Sequence, residues 1–75
     1  MNVKNNKRPQ ETIDKTENAL FSVLKDNELN NVSVTELCKA AGIDRSTFYT
    51  NYEDVPALAN EVAAKIERQL ENRLL

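Results

Sequence analysis

The chain has 75 residues, of which 40% are hydrophobic and 29% charged, and its formal net charge is −2. This is the composition of one small folded domain rather than of a disordered tail. One cysteine and no histidine exclude an internal disulfide, a zinc site and a Cys–His nucleophile pair. We therefore expect no enzyme activity, no catalytic residues, no metal site and no cofactor. With no apolar run of about 20 residues and no signal peptide, the sequence predicts a cytoplasmic protein with no membrane partner.

Residues 1–8 are polar and basic, contain no acid, and are predicted to form a flexible arm. Two interpretations of this arm stay open: a solvated disordered terminus, or an arm that follows a polyanion such as DNA. Apolar residues at helical spacing then predict a first helix over about 9–27, with Phe21 widening its apolar stripe. The asparagine-rich segment 27–32 is predicted to be a loop, with Leu29 and Val32 packing against the core.

Three further helices are marked by their ends. Ser33, followed three residues later by Glu36, forms a capping-box pattern that predicts a second helix over 34–41. Gly42 is expected to end it in the left-handed conformation, and Asp44 to cap a short third helix over 45–51. A fourth helix is predicted over 55–74, opening after Glu53 and Asp54. The predicted fold is all-α: a small homeodomain-like helical bundle of four helices with no strands.

The second helix, its glycine turn and the short third helix outline a helix-turn-helix. Phe48 and Tyr52 are four residues apart and are expected to face the core. The remaining side chains of the third helix then face outward, and they are short or hydrogen-bonding, as insertion into a major groove requires. These outward residues are Arg45, Ser46, Thr47, Tyr49 and Thr50.

The segment VTELCKAAGIDRSTFYTNYED, residues 34–54, resembles the N-terminal DNA-binding domain of the TetR family of bacterial transcription regulators. The resemblance extends over about residues 13–62 and is carried most specifically by Ala41, Gly42, Ile43, Thr47, Phe48, Tyr49, Asn51 and Tyr52. It implies that residues 9–75 are a helix-turn-helix domain that binds double-stranded DNA, as part of a repressor that is a homodimer on a palindromic operator in its full-length form. A C-terminal domain that makes the dimer and binds a small-molecule effector would lie outside these 75 residues.

The resemblance also implies roles for individual residues. In the family the recognition helix contacts base edges, which here correspond to Arg45, Ser46, Thr47 and Thr50. Arg45 is the first candidate for base reading because its planar fork matches O6 and N7 of guanine. The resemblance implies a phosphate contact for Tyr49, and Asn51 can also donate to a phosphate. Thr35 matches a position that often contacts DNA, and Lys7 and Arg8 correspond to the basic residues that approach the first helix.

The sequence departs from the family pattern in several places, including Asn51 where the family has histidine and residues 27–29 where it has a glycine. The lysine expected at the start of the fourth helix is replaced by Val55, beside Glu53 and Asp54. Residues 1–52 contain seven Lys and Arg and seven Asp and Glu, so this region is neutral. Each missing phosphate contact lowers the affinity for DNA and its salt dependence, so we expect modest affinity.

Alternatives remain for several of these features. The fold is also compatible with a helical protein-interaction module that does not bind specific DNA. Arg45 is alternatively a solvated surface residue, and Tyr49 alternatively packs on the fourth helix. The far end of the fourth helix either frays, leads into a further domain, or pairs with a second chain through Ile66, Leu70 and Leu74.

Overall fold

The structure, a computed structural model, describes residues 8–74, with the side chain of Leu74 excepted. It contains four α-helices and one short 3₁₀ turn, and residues 8–74 contain no strand. The helices are α1 (Gln10–Leu24), α2 (Val34–Ala41), α3 (Arg45–Asn51) and α4 (Val55–Leu74), with the 3₁₀ turn at Leu29–Asn31. The predicted all-α class and helical-bundle architecture are confirmed. The predicted bounds of the second, third and fourth helices match those of α2, α3 and α4.

The helix-turn-helix part forms as the end signals predict. The Ser33 hydroxyl accepts from the Glu36 amide at 3.0 Å, and the Glu36 carboxylate accepts from the Ser33 amide at 3.4 Å. Both halves of the capping box are therefore present. Gly42 has φ +74° and its amide donates to the Cys38 carbonyl, which closes α2 in the left-handed conformation.

The first helix is shorter than predicted, ending at Leu24 rather than near residue 27. The Lys25 and Asp26 amides bond three residues back, and both the backbone amide and the side-chain amide of Asn27 donate to the Val23 carbonyl. The last turn of the helix is therefore tightened, and no glycine in the sequence marks this helix end. Inside the predicted loop, the 3₁₀ turn at Leu29–Asn31 was also not anticipated.

The core takes one fully buried side chain from each helix: Thr16, Leu37, Phe48 and Leu58. The Thr16 hydroxyl donates to the Thr12 carbonyl at 2.7 Å, which satisfies its polar group inside α1. A salt bridge of 2.7 Å between Lys65 and Glu17 joins α4 to α1 at the edge of this core.

Two predicted core contacts are wrong. Phe21 and Leu29 are exposed, whereas Val32 is buried as predicted. Phe21 follows Leu20, which takes the core position on α1, so the next residue is rotated toward solvent. Leu29 opens the 3₁₀ turn, and that turn directs Val32 rather than Leu29 into the core.

The apolar stripe of α4 is divided. Val55, Leu58 and Val62 are buried, whereas Ile66 and Leu70 are 43% and 54% exposed. No helix within residues 8–74 combines the length and apolar composition needed to cross a membrane.

Candidate nucleic-acid interface

Helix α3 is fixed at its start by Asp44. The Asp44 carboxylate accepts from the Thr47 amide at 2.8 Å, which caps the helix as predicted. Hydrogen bonds from the side chain and backbone of Thr47, and from the Ser46 side chain, hold the pKa of Asp44 below its usual value. The carboxylate is thus ionised at neutral pH and favourably placed at the positive end of the helix dipole.

The inner face of α3 is anchored by aromatic packing. Phe48 is fully buried and Tyr52, directly after the helix, is 4% exposed, so both are core residues as predicted. Their ring centroids lie 5.5 Å apart. Tyr49 is exposed, and its ring meets that of Phe48 edge-on at 5.4 Å. The aromatic cluster therefore divides into two buried rings and one ring at the surface.

Three of the predicted DNA-contact residues form a connected row on the surface. Arg45 donates from Nη1 to the Thr35 hydroxyl oxygen at 2.7 Å, which bridges the start of α3 to the first turn of α2. The guanidinium carbon of Arg45 lies 5.9 Å from the centre of the Tyr49 ring, within cation–π range. All three side chains are exposed, Tyr49 by 48%. We call Thr35, Arg45 and Tyr49 the surface row.

The other predicted base-contacting residues, Ser46, Thr47 and Thr50, also lie on α3, and two of them already use hydrogen-bonding groups within the helix. Ser46 and Thr50 are exposed, whereas Thr47 is half-buried and engaged with Asp44. The Thr50 hydroxyl donates to the Ser46 carbonyl at 2.9 Å, so its donor is used inside α3. Thr50 therefore offers its methyl group, rather than its hydroxyl donor, to a partner.

Asn51, for which a phosphate contact is predicted, is partly engaged inside α3. Its side-chain amide donates to the Thr47 carbonyl at 3.0 Å, and its half-buried side chain lies against the bundle. The Asn51 side-chain oxygen is buried and accepts no bond from residues 8–74. One of the two amide hydrogens of Asn51 is thus used within α3, and the predicted phosphate contact stays a prediction.

Arg8 differs from the prediction, which placed it in a flexible arm that approaches DNA. Its guanidinium forms two hydrogen bonds, of 2.8 and 3.2 Å, with the Glu61 carboxylate on α4. It donates to the Asn51 carbonyl at 3.3 Å and lies 5.3 Å above the Tyr52 ring. The bonds to Glu61 raise the pKa of Arg8 above its usual value. Arg8 therefore links the end of α3 to α4. Lys7 lies outside the described residues.

The acidic segment after α3 has a structural explanation. Asp54 accepts from the Ala57 amide at 2.9 Å and so caps α4. Val55, at the position where the TetR pattern has lysine, is buried in the core. This end of the helix-turn-helix is therefore built for packing and capping.

Sequence reasoning did not anticipate the pairing of Arg8 with Glu61 or of Arg45 with Thr35. Arg8 and Glu61 are 53 residues apart, and Arg45 and Thr35 are on different helices. A spacing rule within one helix cannot find either pair, because each joins residues of separate elements.

A protein-family model matches residues 1–73, and its description is "Family of unknown function (DUF6262)". The chain belongs to the DUF6262 family. No curated protein and no solved structure matches the chain. Because the description of DUF6262 names no activity, the resemblance to the TetR DNA-binding domain stays a prediction about residues 13–62.

Proposed function

We propose that this protein binds double-stranded DNA sequence-specifically in the cytoplasm, as the DNA-reading domain of a TetR-like repressor. The observation that carries the proposal is the surface row of Thr35, Arg45 and Tyr49 on the outer side of a helix-turn-helix. This row brings one cation, one hydroxyl and one phenol together at the exposed surface of α2 and α3, which supports the proposal because a recognition helix contacts DNA through such side chains.

Within the surface row, Arg45 and Tyr49 are suited to different contacts with DNA. Arg45 is the only Lys or Arg between Lys39 and Lys65, so it supplies the only positive charge of the turn and of α3. Its fork pairs with O6 and N7 of guanine in the major groove. The hydroxyl of Tyr49 donates to a phosphate oxygen, which fixes the register of the helix without reading sequence.

The neutral charge of residues 1–52 sets the expected strength of binding. Few phosphate contacts mean weak non-specific affinity and a shallow dependence on salt. Two copies acting together, with their recognition helices in successive major grooves about 34 Å apart, supply the affinity that one copy lacks. The repressor proposal thus includes a palindromic operator and a homodimer, with a small-molecule effector acting only through a further domain.

A selection from randomised DNA duplexes tests the proposal. The chain, alone and as two copies joined by a flexible linker, is used to enrich binding sequences, and their affinity is measured by fluorescence anisotropy at about 50 and 200 mM salt. We expect a palindromic sequence to emerge and to bind more weakly at the higher salt. Arg45→Ala should lower the affinity for the selected sequence about 5- to 150-fold. Tyr49→Phe should instead weaken the binding of selected and unselected duplexes by the same factor, because a phosphate contact does not read sequence.

Matched variants separate these effects from general ones. Arg68→Ala removes the same charge from exposed α4, and Phe21→Ala removes an aromatic side chain that is 49% exposed, close to the 48% of Tyr49. Both should bind the selected DNA as the parent does. The proposal fails if no sequence is enriched and the linked pair binds no duplex at the lower salt.

A protein-interaction module is the second candidate, and the exposure of Ile66 and Leu70 on α4 favours it. Replacing both residues with glutamate should abolish an interaction made through this face, while leaving DNA binding by the surface row unchanged. Sedimentation over a range of concentrations and anisotropy with the selected duplex are measured for the parent and the double variant. Self-association that the double variant loses, with no selected duplex bound by either protein, would favour the interaction module over the DNA-binding domain.

A further inference from the structure

The hydroxyl of Thr35 lies at the junction between α2 and the side chain of Arg45. Its oxygen accepts from Nη1 of Arg45 at 2.7 Å, a short distance for a bond between a charged donor and a neutral acceptor. We infer that Thr35 is a positioning residue that sets base specificity, because it holds the guanidinium of Arg45 in the orientation that reads guanine. This inference rests on the proposed function.

The orientation of Arg45 is constrained from two sides. Thr35 fixes Nη1 from the first turn of α2, and the ring of Tyr49 lies beside the guanidinium at 5.9 Å. Asp44 is next to Arg45 in the chain, but its carboxylate is engaged with Thr47 rather than with the guanidinium. An exposed arginine otherwise samples many rotamers, and ordering them on binding weakens the complex.

The guanidinium has enough N–H donors to bond Thr35 and to pair with guanine at the same time. Arginine has five N–H donors, and the bond to Thr35 uses one of them. Pairing with O6 and N7 of guanine requires two more. The Thr35 oxygen acts as acceptor toward Arg45, so its own hydrogen remains available to donate to a phosphate oxygen. Thr35 can therefore bridge a base-reading side chain to the DNA backbone.

The position of Thr35 on α2 gives the bond a second consequence. Because α2 and α3 are joined by the turn at Gly42, the exposed hydrogen bond between Arg45 and Thr35 is a second connection between the two helices. The guanidinium of Arg45 is thus held in place by α2 as well as by its own helix, α3. Specificity for guanine should depend on a residue that itself contacts no base.

The test measures discrimination rather than affinity alone. Duplexes selected with the parent protein are prepared with guanine, or with 7-deazaguanine, which lacks the N7 acceptor, at each guanine of the half-site. Binding of the parent is expected to weaken about tenfold at one guanine. Thr35→Val, which replaces the hydroxyl with a methyl of similar size, should reduce this ratio to about twofold or less, and Thr35→Ser should restore it.

A double-mutant cycle assigns the effect to Arg45. In an Arg45→Ala background, Thr35→Val should change the discrimination between the two duplexes no further, because the side chain that it positions is gone. Thermal unfolding monitored by circular dichroism should show that Thr35→Val and the parent fold alike, because Thr35 is exposed.

The possible outcomes separate this inference from the proposed function. If no duplex is selected at all, the proposed function fails and the inference fails with it. If duplexes are selected but Thr35→Val weakens both the guanine and the 7-deazaguanine duplex equally, only the inference is overturned. That result would make Thr35 a phosphate contact with no influence on base reading.

Discussion

At the scale of single residues, Tyr52 combines a core ring with a hydroxyl that no group of residues 8–74 pairs with. The residue is 4% exposed, and Arg8 lies over its ring. Burial raises the pKa of Tyr52 to about 12, with a further contribution from the nearby negative charge of Glu61. The fold thus keeps this phenol protonated at a pH where an exposed phenol ionises.

This pKa shift predicts a loss of stability in alkali. The unfolded chain releases the Tyr52 proton near pH 10, and the folded chain holds it until about pH 12. The free energy of unfolding should therefore fall as the pH rises through this range, by up to about 2 kcal/mol. Urea unfolding at several pH values should show the decrease in the parent and a smaller one in Tyr52→Phe.

The same variant tests the unpaired hydroxyl near neutral pH. Removing a buried polar group that has no partner leaves nothing unsatisfied, so Tyr52→Phe should be as stable as the parent or more stable. A clear destabilisation at pH 7, or identical alkaline curves for the two proteins, would contradict this description of the Tyr52 environment.

At the scale of elements, the turn between α2 and α3 depends on one backbone conformation. Gly42 has φ +74°, and a Cβ built there meets no atom within 4 Å. Substitution at this position therefore costs backbone energy and causes no steric clash. Gly42 is exposed and so contributes to the turn through its conformation alone.

We predict that Gly42→Ala lowers the free energy of unfolding by about 1 kcal/mol. Gly42→Asn should cost less, because asparagine adopts the left-handed conformation more readily. Urea denaturation of the three proteins measures both differences. Equal stabilities for the alanine and asparagine variants would mean that the strain is relieved by a shift of the turn.

The elements also show which parts of this fold can be predicted from sequence. The bounds of α2, α3 and α4 were predicted because Ser33, Gly42, Asp44 and Asp54 each mark a helix end through local hydrogen bonds. The end of α1 was misplaced because Asn27 closes it through a side-chain bond that the pattern does not distinguish from helix.

The sequence predicts which residues make up the candidate site, but not which of them bond to one another. The sequence indicates that Arg45 and Tyr49 face outward, since Phe48 and Tyr52 take the core side of α3. It does not indicate that Arg45 bonds Thr35, or that Arg8 bonds Glu61, because those contacts arise from the crossing of separate elements. The bond from the Asn51 side-chain amide to the Thr47 carbonyl was not predicted either.

At the scale of the whole molecule, one core is shared by all four helices. Each helix contributes one fully buried side chain, and α3, with seven residues, is too short to be stable alone. The chain should therefore unfold in one cooperative transition. Helix α4 extends beyond this core, since its apolar residues are buried as far as Val62 and exposed at Ile66 and Leu70.

This division predicts different costs for the same substitution on one helix. Leu58→Ala should lower the free energy of unfolding by about 2–5 kcal/mol, because Leu58 is fully buried. Leu70→Ala should change it by less than about 0.5 kcal/mol, because Leu70 is 54% exposed. Chemical denaturation at two protein concentrations is the measurement. A large, concentration-dependent cost for Leu70→Ala would instead show that a second copy covers this face.

The anchoring of α3 has an evolutionary consequence. Within the helix only Phe48 is buried, and Tyr52 secures the chain directly after it. Arg45, Ser46 and Thr50 are exposed, so mutations at these three positions leave the core packing intact, whereas a change at Tyr49 also alters its ring contact with Phe48. A lineage that keeps Phe48, Tyr52 and the Gly42 turn can therefore exchange its outer residues one at a time. New binding preferences can arise by single steps without passing through an unfolded intermediate.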